Sequence, residues 1–115
     1  MHIDQETDGS AVVLSPHGRL DATAAPVFEE AANKAVKEGA TGLVFDFANL
    51  SYISSAGLRV ILIAAKALKP IGGKLAICHC TPDVKKVIDL TGFGKIAAIM
   101  DDRASAVAHV GHGGS

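Results

Sequence analysis

Tryptophan is absent from this chain, tyrosine occurs once, and only four phenylalanines appear among 115 residues. Hydrophobic residues still make up 49% of it, so the core has to be built from Val, Ile, Leu and many Ala. That composition suits helices packed closely on a sheet. Cysteine is scarce as well. Cys78 and Cys80 stand alone in a chain that opens Met1-His2-Ile3-Asp4, with no basic stretch followed by an apolar run. They read as reduced thiols of a cytoplasmic protein. No apolar run reaches the ~18–20 residues that cross a bilayer, which argues against membrane insertion. The longest such run carries Lys66 and Lys69. An excess of one charge is missing too: 11 basic residues stand against 12 acidic ones, for a net charge of −1. The basic residues are scattered along the chain, which argues against direct contact with nucleic acid.

What is present suffices for one domain. A chain of this length buries roughly two-thirds of its unfolded surface, enough for a core without disulfides or metals. Neither repeat nor linker interrupts residues 1–110, and Gly111-His112-Gly113-Gly114-Ser115 reads as a disordered tail. His2 to Thr7 alternates and runs into Asp8-Gly9, a hairpin signal, followed by a strand from Ala11 to Leu14. From Thr23 the period becomes helical, with Val27, Phe28, Ala31 and Ala35 on one face and Gly39 as a stop. Leu43, Phe45 and Phe47 mark a third strand. After a polar break, a helix runs from Gly57 to Lys69 and halts at Pro70 and Gly72-Gly73. Leu75 to Cys80 is a fourth strand. Thr81-Pro82-Asp83 opens a helix, with Thr81 as a capping hydroxyl. A fifth strand, Ile96 to Met100, and a helix, Asp102 to Val110, complete the chain. The order ββαβαβαβα predicts an α/β fold: a mixed, mostly parallel five-stranded sheet with about four helices and an antiparallel strand at its start.

In such sheets, sites gather beyond the carboxyl ends of parallel strands. Two segments fit: Gly18-Arg19-Leu20-Asp21 and Asn49-Leu50-Ser51-Tyr52-Ile53-Ser54-Ser55-Ala56-Gly57. If their strands are neighbours, Asp21 and the Ser54/Ser55 pair share one edge. One serine at a helix start is accounted for as an N-cap. The other reading is a hydroxyl displayed for phosphorylation. A phosphate there would face the free N–H groups of the helix start and add about −1.5 to −2 charge beside Asp21. Ser55-Ala56-Gly57 is half of a Gly-x-Ser-x-Gly nucleophile elbow, but Ile53 stands where the first Gly belongs. No catalytic residue is assigned.

The helix after the serines carries Leu58, Ile61, Leu62, Ala65 and Leu68 on one stripe, and Val60, Ile63, Ala64 and Ala67 make its other side apolar. Both faces are expected to be covered, or part of the second to meet a partner. Cys78-His79-Cys80 on a strand would send two thiols one way and the imidazole the other, giving a buried thiol pair and no metal site. Gly72-Gly73-Lys74 lacks the frame of a phosphate loop and reads as a turn. His2, His17, His109 and His112 read as surface residues without partners.

Gly18-x-Leu20-Asp21 before a helix, then Leu50-Ser51-Tyr52-Ile53-Ser54-Ser55-Ala56-Gly57-Leu58, resembles a STAS domain of the bacterial anti-sigma factor antagonist type. The Gly-Gly turn, Pro82-Asp83-Val84-Lys85 and Leu90-Thr91-Gly92-Phe93 extend the resemblance over almost the whole chain. It implies a SpoIIAA-like fold and a switch without enzymatic activity or cofactor. The unphosphorylated protein would bind an anti-sigma factor that is also a serine kinase. ATP supplied through that kinase would modify the protein and end the complex, and a serine phosphatase would reset it. By position the acceptor is Ser55. Many members carry an acid just before it; here that place is Ser54, the second candidate. Asp21, Ser51, Tyr52, Ile53, Ser54, Ala56, Gly57, Leu58 and Arg59 would form the partner-facing rim. Arg59, one turn after Ser55, is placed to pair with a phosphate. Two alternatives remain open: a stand-alone STAS subunit of a membrane transporter complex, which would not need Ser55, and a small-ligand or nucleotide-binding module.

Overall fold

In the computed structural model, which describes residues 1–111, five strands form the main sheet in the order β1-β2-β4-β6-β7. These are β1 (Ile3–Asp8), β2 (Ala11–Pro16), β4 (Gly42–Asp46), β6 (Lys74–Cys78) and β7 (Ala98–Met100). β1 pairs antiparallel with β2, and every other pairing in this sheet is parallel. The predicted mixed, mostly parallel sheet is therefore present. Asp8 pairs with Ala11, so the hairpin turns on Gly9-Ser10, with Gly9 at φ +63°. A positive φ there is what a tight hairpin turn demands.

Four α-helices cover the sheet: α1 (Ala25–Lys37), α2 (Ser55–Leu68), α3 (Pro82–Thr91) and α4 (Arg103–Gly111). Alternation along β4 sends Leu43 and Phe45 into a core with Phe28 of α1 and Ile61 of α2, while Val44 faces Ala106 and Val110 of α4. Phe28 and Phe45 meet edge to face, centroids 4.7 Å apart, which makes three of the few aromatics, with Phe47, the centre of the core. The α4 side is built from small residues. A Cβ on Gly42 would come within 2.9 Å of Val110, so the helix seats directly on backbone.

Two strands went unread in the sequence. β3 (Gly18–Leu20) and β5 (Leu50–Ile53) form a separate two-stranded parallel sheet inside what looked like loop and polar break. At three and four residues they are too short for an alternation to register. Their anchors, Leu20, Leu50 and Ile53, are buried in the main core. Helix starts differ as well. α1 begins at Ala25, two residues after Thr23, because Asp21 folds a turn first: its Oδ1 accepts from the amides of Thr23 (3.1 Å) and Ala24 (2.9 Å). Thr81 does not cap α3 through its side chain; its hydroxyl instead donates to the Leu50 carbonyl at 3.4 Å.

The Cys-His-Cys reading is corrected. β6 ends at Cys78, and His79 takes φ +56°, so the alternation stops there. Cys78 packs on the α4 side and Cys80 against the opposite core. Burial, together with Asp46 for Cys78, pushes the thiols up to about 12 and about 11 respectively, so both remain protonated at neutral pH. Gly111 closes α4, so the expected tail does not begin there; residues 112–115, including His112, lie outside the described residues.

Candidate functional site

β3 and β5 carry the two singled-out segments to one edge. Ser54 takes extended geometry and caps α2, its Oγ accepting from the Gly57 amide at 3.2 Å. The same Oγ donates to the Leu20 carbonyl at 2.9 Å, and the Ser54 amide donates to that carbonyl at 3.0 Å. Ser54 thus rivets the helix start to the residue preceding Asp21. Ser55, the first helical residue, is exposed. The two serines, equivalent on paper, divide into a half-buried cap and a displayed hydroxyl.

Around Ser55 the exposed side chains are Ser51, Tyr52 and Arg59, with Asp21 and Ala56 half-buried. Ser51 donates its hydroxyl to the Gly18 carbonyl at 3.1 Å, tying β5 to the start of β3. The β3–β5 register places Arg19 opposite Tyr52, and the guanidinium lies 4.1 Å from the ring centroid. This cation–π contact holds both side chains in a fixed, outward-facing pair. Arg19 was missed as a site residue; only the unread pairing of β3 with β5 would have revealed it.

Three expected rim residues are not on the surface. Ile53 is 4% and Leu58 7% exposed, and Gly57 is buried. They form the floor of the site. A Cβ on Gly57 would lie 2.8 Å from both Leu20 Cγ and Ile53 Cγ1, inside any allowed carbon–carbon contact. Gly57→Ala is expected to destabilise the fold by about 1–2 kcal/mol, as overpacking outweighs the better helix propensity of Ala. A urea midpoint no lower than that of the parent chain would contradict this.

The remaining polar groups gather elsewhere. Asp46 is buried at the end of β4 and accepts from the Ala48 amide (3.0 Å), Arg103 Nε (3.0 Å) and the His79 imidazole (Nδ1, 3.1 Å). Arg103, on α4, also reaches Glu6 of β1 and Ser15 of β2. Burial opposes the Asp46 charge, but the Ala48, His79 and Arg103 hydrogen bonds outweigh it and hold the carboxyl below its ordinary pKa. His2 and His17, read as unpartnered, both bond to Asp4. The basic residues are less scattered in space than along the chain. Lys66, Lys69, Lys74 and Lys95 line one open cleft of about 700 Å³ that no Asp or Glu among the described residues borders. No helix among the described residues is long and apolar enough to cross a membrane.

The sequence model of the STAS domain matches residues 2–106. The chain belongs to the STAS domain family. One STAS relative is BtrV of Bordetella bronchiseptica, described as an anti-sigma factor antagonist and 41% identical over 73 residues. That match covers 64% of this chain and 63% of BtrV, so the chain aligns with less than two-thirds of that relative. The anti-sigma F factor antagonist of Paenibacillus polymyxa is 26% identical over 111 residues, covering 96% of this chain and 95% of its own. The same STAS architecture occurs in SpoIIAA, an anti-sigma factor antagonist solved in both phosphorylation states. The unphosphorylated form superposes with a TM-score of 0.82 at 26% identity, covering 95% of this chain and 96% of SpoIIAA. The phosphorylated Bacillus form gives 0.74 at 25% identity, covering 95% and 99%.

Proposed function

We propose that this STAS domain is an anti-sigma factor antagonist that docks on a kinase-type anti-sigma factor through the edge around Ser55 and leaves when Ser55 is phosphorylated. The observation that carries the reading is the division of labour between the serines. The Ser54 hydroxyl is engaged as donor and acceptor inside the β3–β5–α2 junction, whereas Ser55 is exposed at the first position of α2. A kinase reaches the second without disturbing the first. Names of relatives and the existence of a phosphorylated SpoIIAA support the same assignment.

The physics of release is electrostatic. A phosphoserine at the first helical position is tolerated by its own helix, whose opening amides and dipole favour negative charge. No acid occupies the first turn of α2, and Arg59 stands one turn on. The added charge falls where a partner would have to desolvate it, beside the Asp21 end of β3. Docking is therefore lost while the fold is kept. Arg19 stacked on Tyr52 supplies a rigid aromatic and cationic anchor of the kind that dominates interfaces. No residue of this chain performs the transfer; ATP and the catalytic groups come from the kinase, and a phosphatase removes the phosphate.

Incubation with the cognate anti-sigma kinase and ATP should add a single phosphate, located at Ser55 by mass spectrometry. Ser54→Ala should still be modified, and Ser55→Ala should not. Modification of Ser54, or of neither serine, would remove the basis of the switch. Continued activity of a transporter partner with Ser55→Ala, without any kinase complex, would instead favour the transporter-subunit role.

A further inference from the structure

We propose that His2, Asp4 and His17 form a binding site for a divalent transition cation of the zinc type, on the edge of the main sheet and separate from the Ser55 edge. The antiparallel register that pairs Ile3 with Pro16 places His2 opposite His17, and the His17 amide donates to the His2 carbonyl at 3.0 Å. Asp4, two residues along β1 from His2, projects from the same face of the strand. Strand pairing therefore gathers three ligands, two imidazoles and one carboxylate, at the ends of two neighbouring strands.

The Asp4 carboxylate lies between the two rings. Its Oδ1 is 2.8 Å from Nε2 of His2, its Oδ2 is 2.8 Å from Nε2 of His17, and the ring centroids are 4.8 Å apart. All three ligand atoms lie within 4.8 Å of one another. Zinc takes His nitrogen at about 2.0–2.1 Å and carboxylate oxygen at about 2.0–2.2 Å. Two such ligands at a tetrahedral angle stand about 3.3 Å apart, so opening each contact by about half an ångström admits the ion. His2 and Asp4 are exposed and His17 is half-buried, so rotamer changes suffice for that adjustment, and water fills the open coordination position. Imidazole with carboxylate suits Zn²⁺, and also Cu²⁺ or Ni²⁺, better than Mg²⁺ or Ca²⁺.

A second group, Asp46, Cys78 and His79, also comes within ligand distance, and it makes the contrast. There Arg103 already occupies the carboxylate, bonding both its oxygen and the neighbouring strands. Among the described residues, the His2–Asp4–His17 group has no Arg or Lys in its hydrogen bonds. A bound ion would cross-link the start of β1 to the junction between β2 and β3. That junction leads through Gly18 into Arg19, so the ion would stiffen the root of β3.

Zinc titration of the full chain by calorimetry tests the site. One Zn²⁺ per chain is expected, with a rise in melting temperature as zinc is added, since an ion that binds only the folded state stabilises it. Outer-shell partners alone change metal affinity by about 10–100-fold, so His17→Ala and Asp4→Asn should each weaken binding by at least about tenfold. His79→Ala should leave it unchanged. All these side chains are exposed or half-exposed, and circular dichroism without zinc should be the same for each variant. Should one of them lose its fold, the more conservative His2→Gln must show the same loss of affinity. No heat of binding in the parent chain, equal affinity in His17→Ala, or loss in His79→Ala would overturn the assignment. Because the assay contains no kinase or anti-sigma factor, its outcome is independent of the switch at Ser55.

Discussion

Ser55→Asp should weaken binding to the anti-sigma partner by at least about 100-fold, equivalent to about 2.7 kcal/mol. Like charges brought together at an interface cost several kcal/mol, and a carboxylate carries less charge than a phosphate, so phosphorylation itself should do more. The far-ultraviolet circular dichroism and the urea midpoint should stay at their parent values, because Ser55 is exposed and the cap that holds α2 belongs to Ser54. The contrasting variant is Ser54→Ala. It should lower stability by about 1 kcal/mol through loss of the cap, with a much smaller effect on partner affinity. Equal affinity of parent and Ser55→Asp in a direct binding assay would refute the electrostatic account. A large loss of affinity accompanied by a changed spectrum would also count against it, since release would then follow from unfolding.

Asp46→Ala should be the most damaging single change to the polar framework, at about 2–3 kcal/mol. It strands the Ala48 amide and removes the anchor of Arg103, which ties α4 to β1 and β2. Arg103 is partly exposed and turns to water when abandoned, which keeps the figure at the lower end for a broken buried pair. The pH dependence has a definite sign. The folded carboxyl titrates below its ordinary value of 3.8, so it contributes stability above about pH 4 that is lost as pH falls through the folded pKa. Denaturant midpoints of parent and variant should therefore differ most at neutral pH and converge as the solution is acidified below pH 4. A gap that stays constant from pH 7 to pH 3 would contradict this.

Local pattern carried much of the architecture. The switch from alternation to helical period at Thr23, the Gly39 stop, the Pro82 helix start and the Gly-Gly turn before β6 placed the main sheet and four helices, because each signal acts within a few residues. The serine segment was legible for the same reason: a strand end, two hydroxyls and a helix start are contiguous. Where the reading failed, a specific side-chain hydrogen bond or a backbone turn had overruled the periodic pattern. Asp21 delayed α1 by claiming two amides, the Leu50 carbonyl took the Thr81 hydroxyl, and the left-handed turn at His79 separated two thiols that alternation had placed together.

From its sequence alone, this protein had a fold class, a family likeness and a pair of candidate serines. Which serine is displayed was a tertiary decision. It depends on the Leu20 carbonyl, 34 residues away, arriving within 2.9 Å of Ser54. The same pairing of β3 with β5 stacked Arg19 on Tyr52 and sank Ile53, Gly57 and Leu58 beneath the surface. Hydrogen bonds and burial of that kind join residues whose separation along the chain carries no periodic signal, so only the folded chain brings them into view.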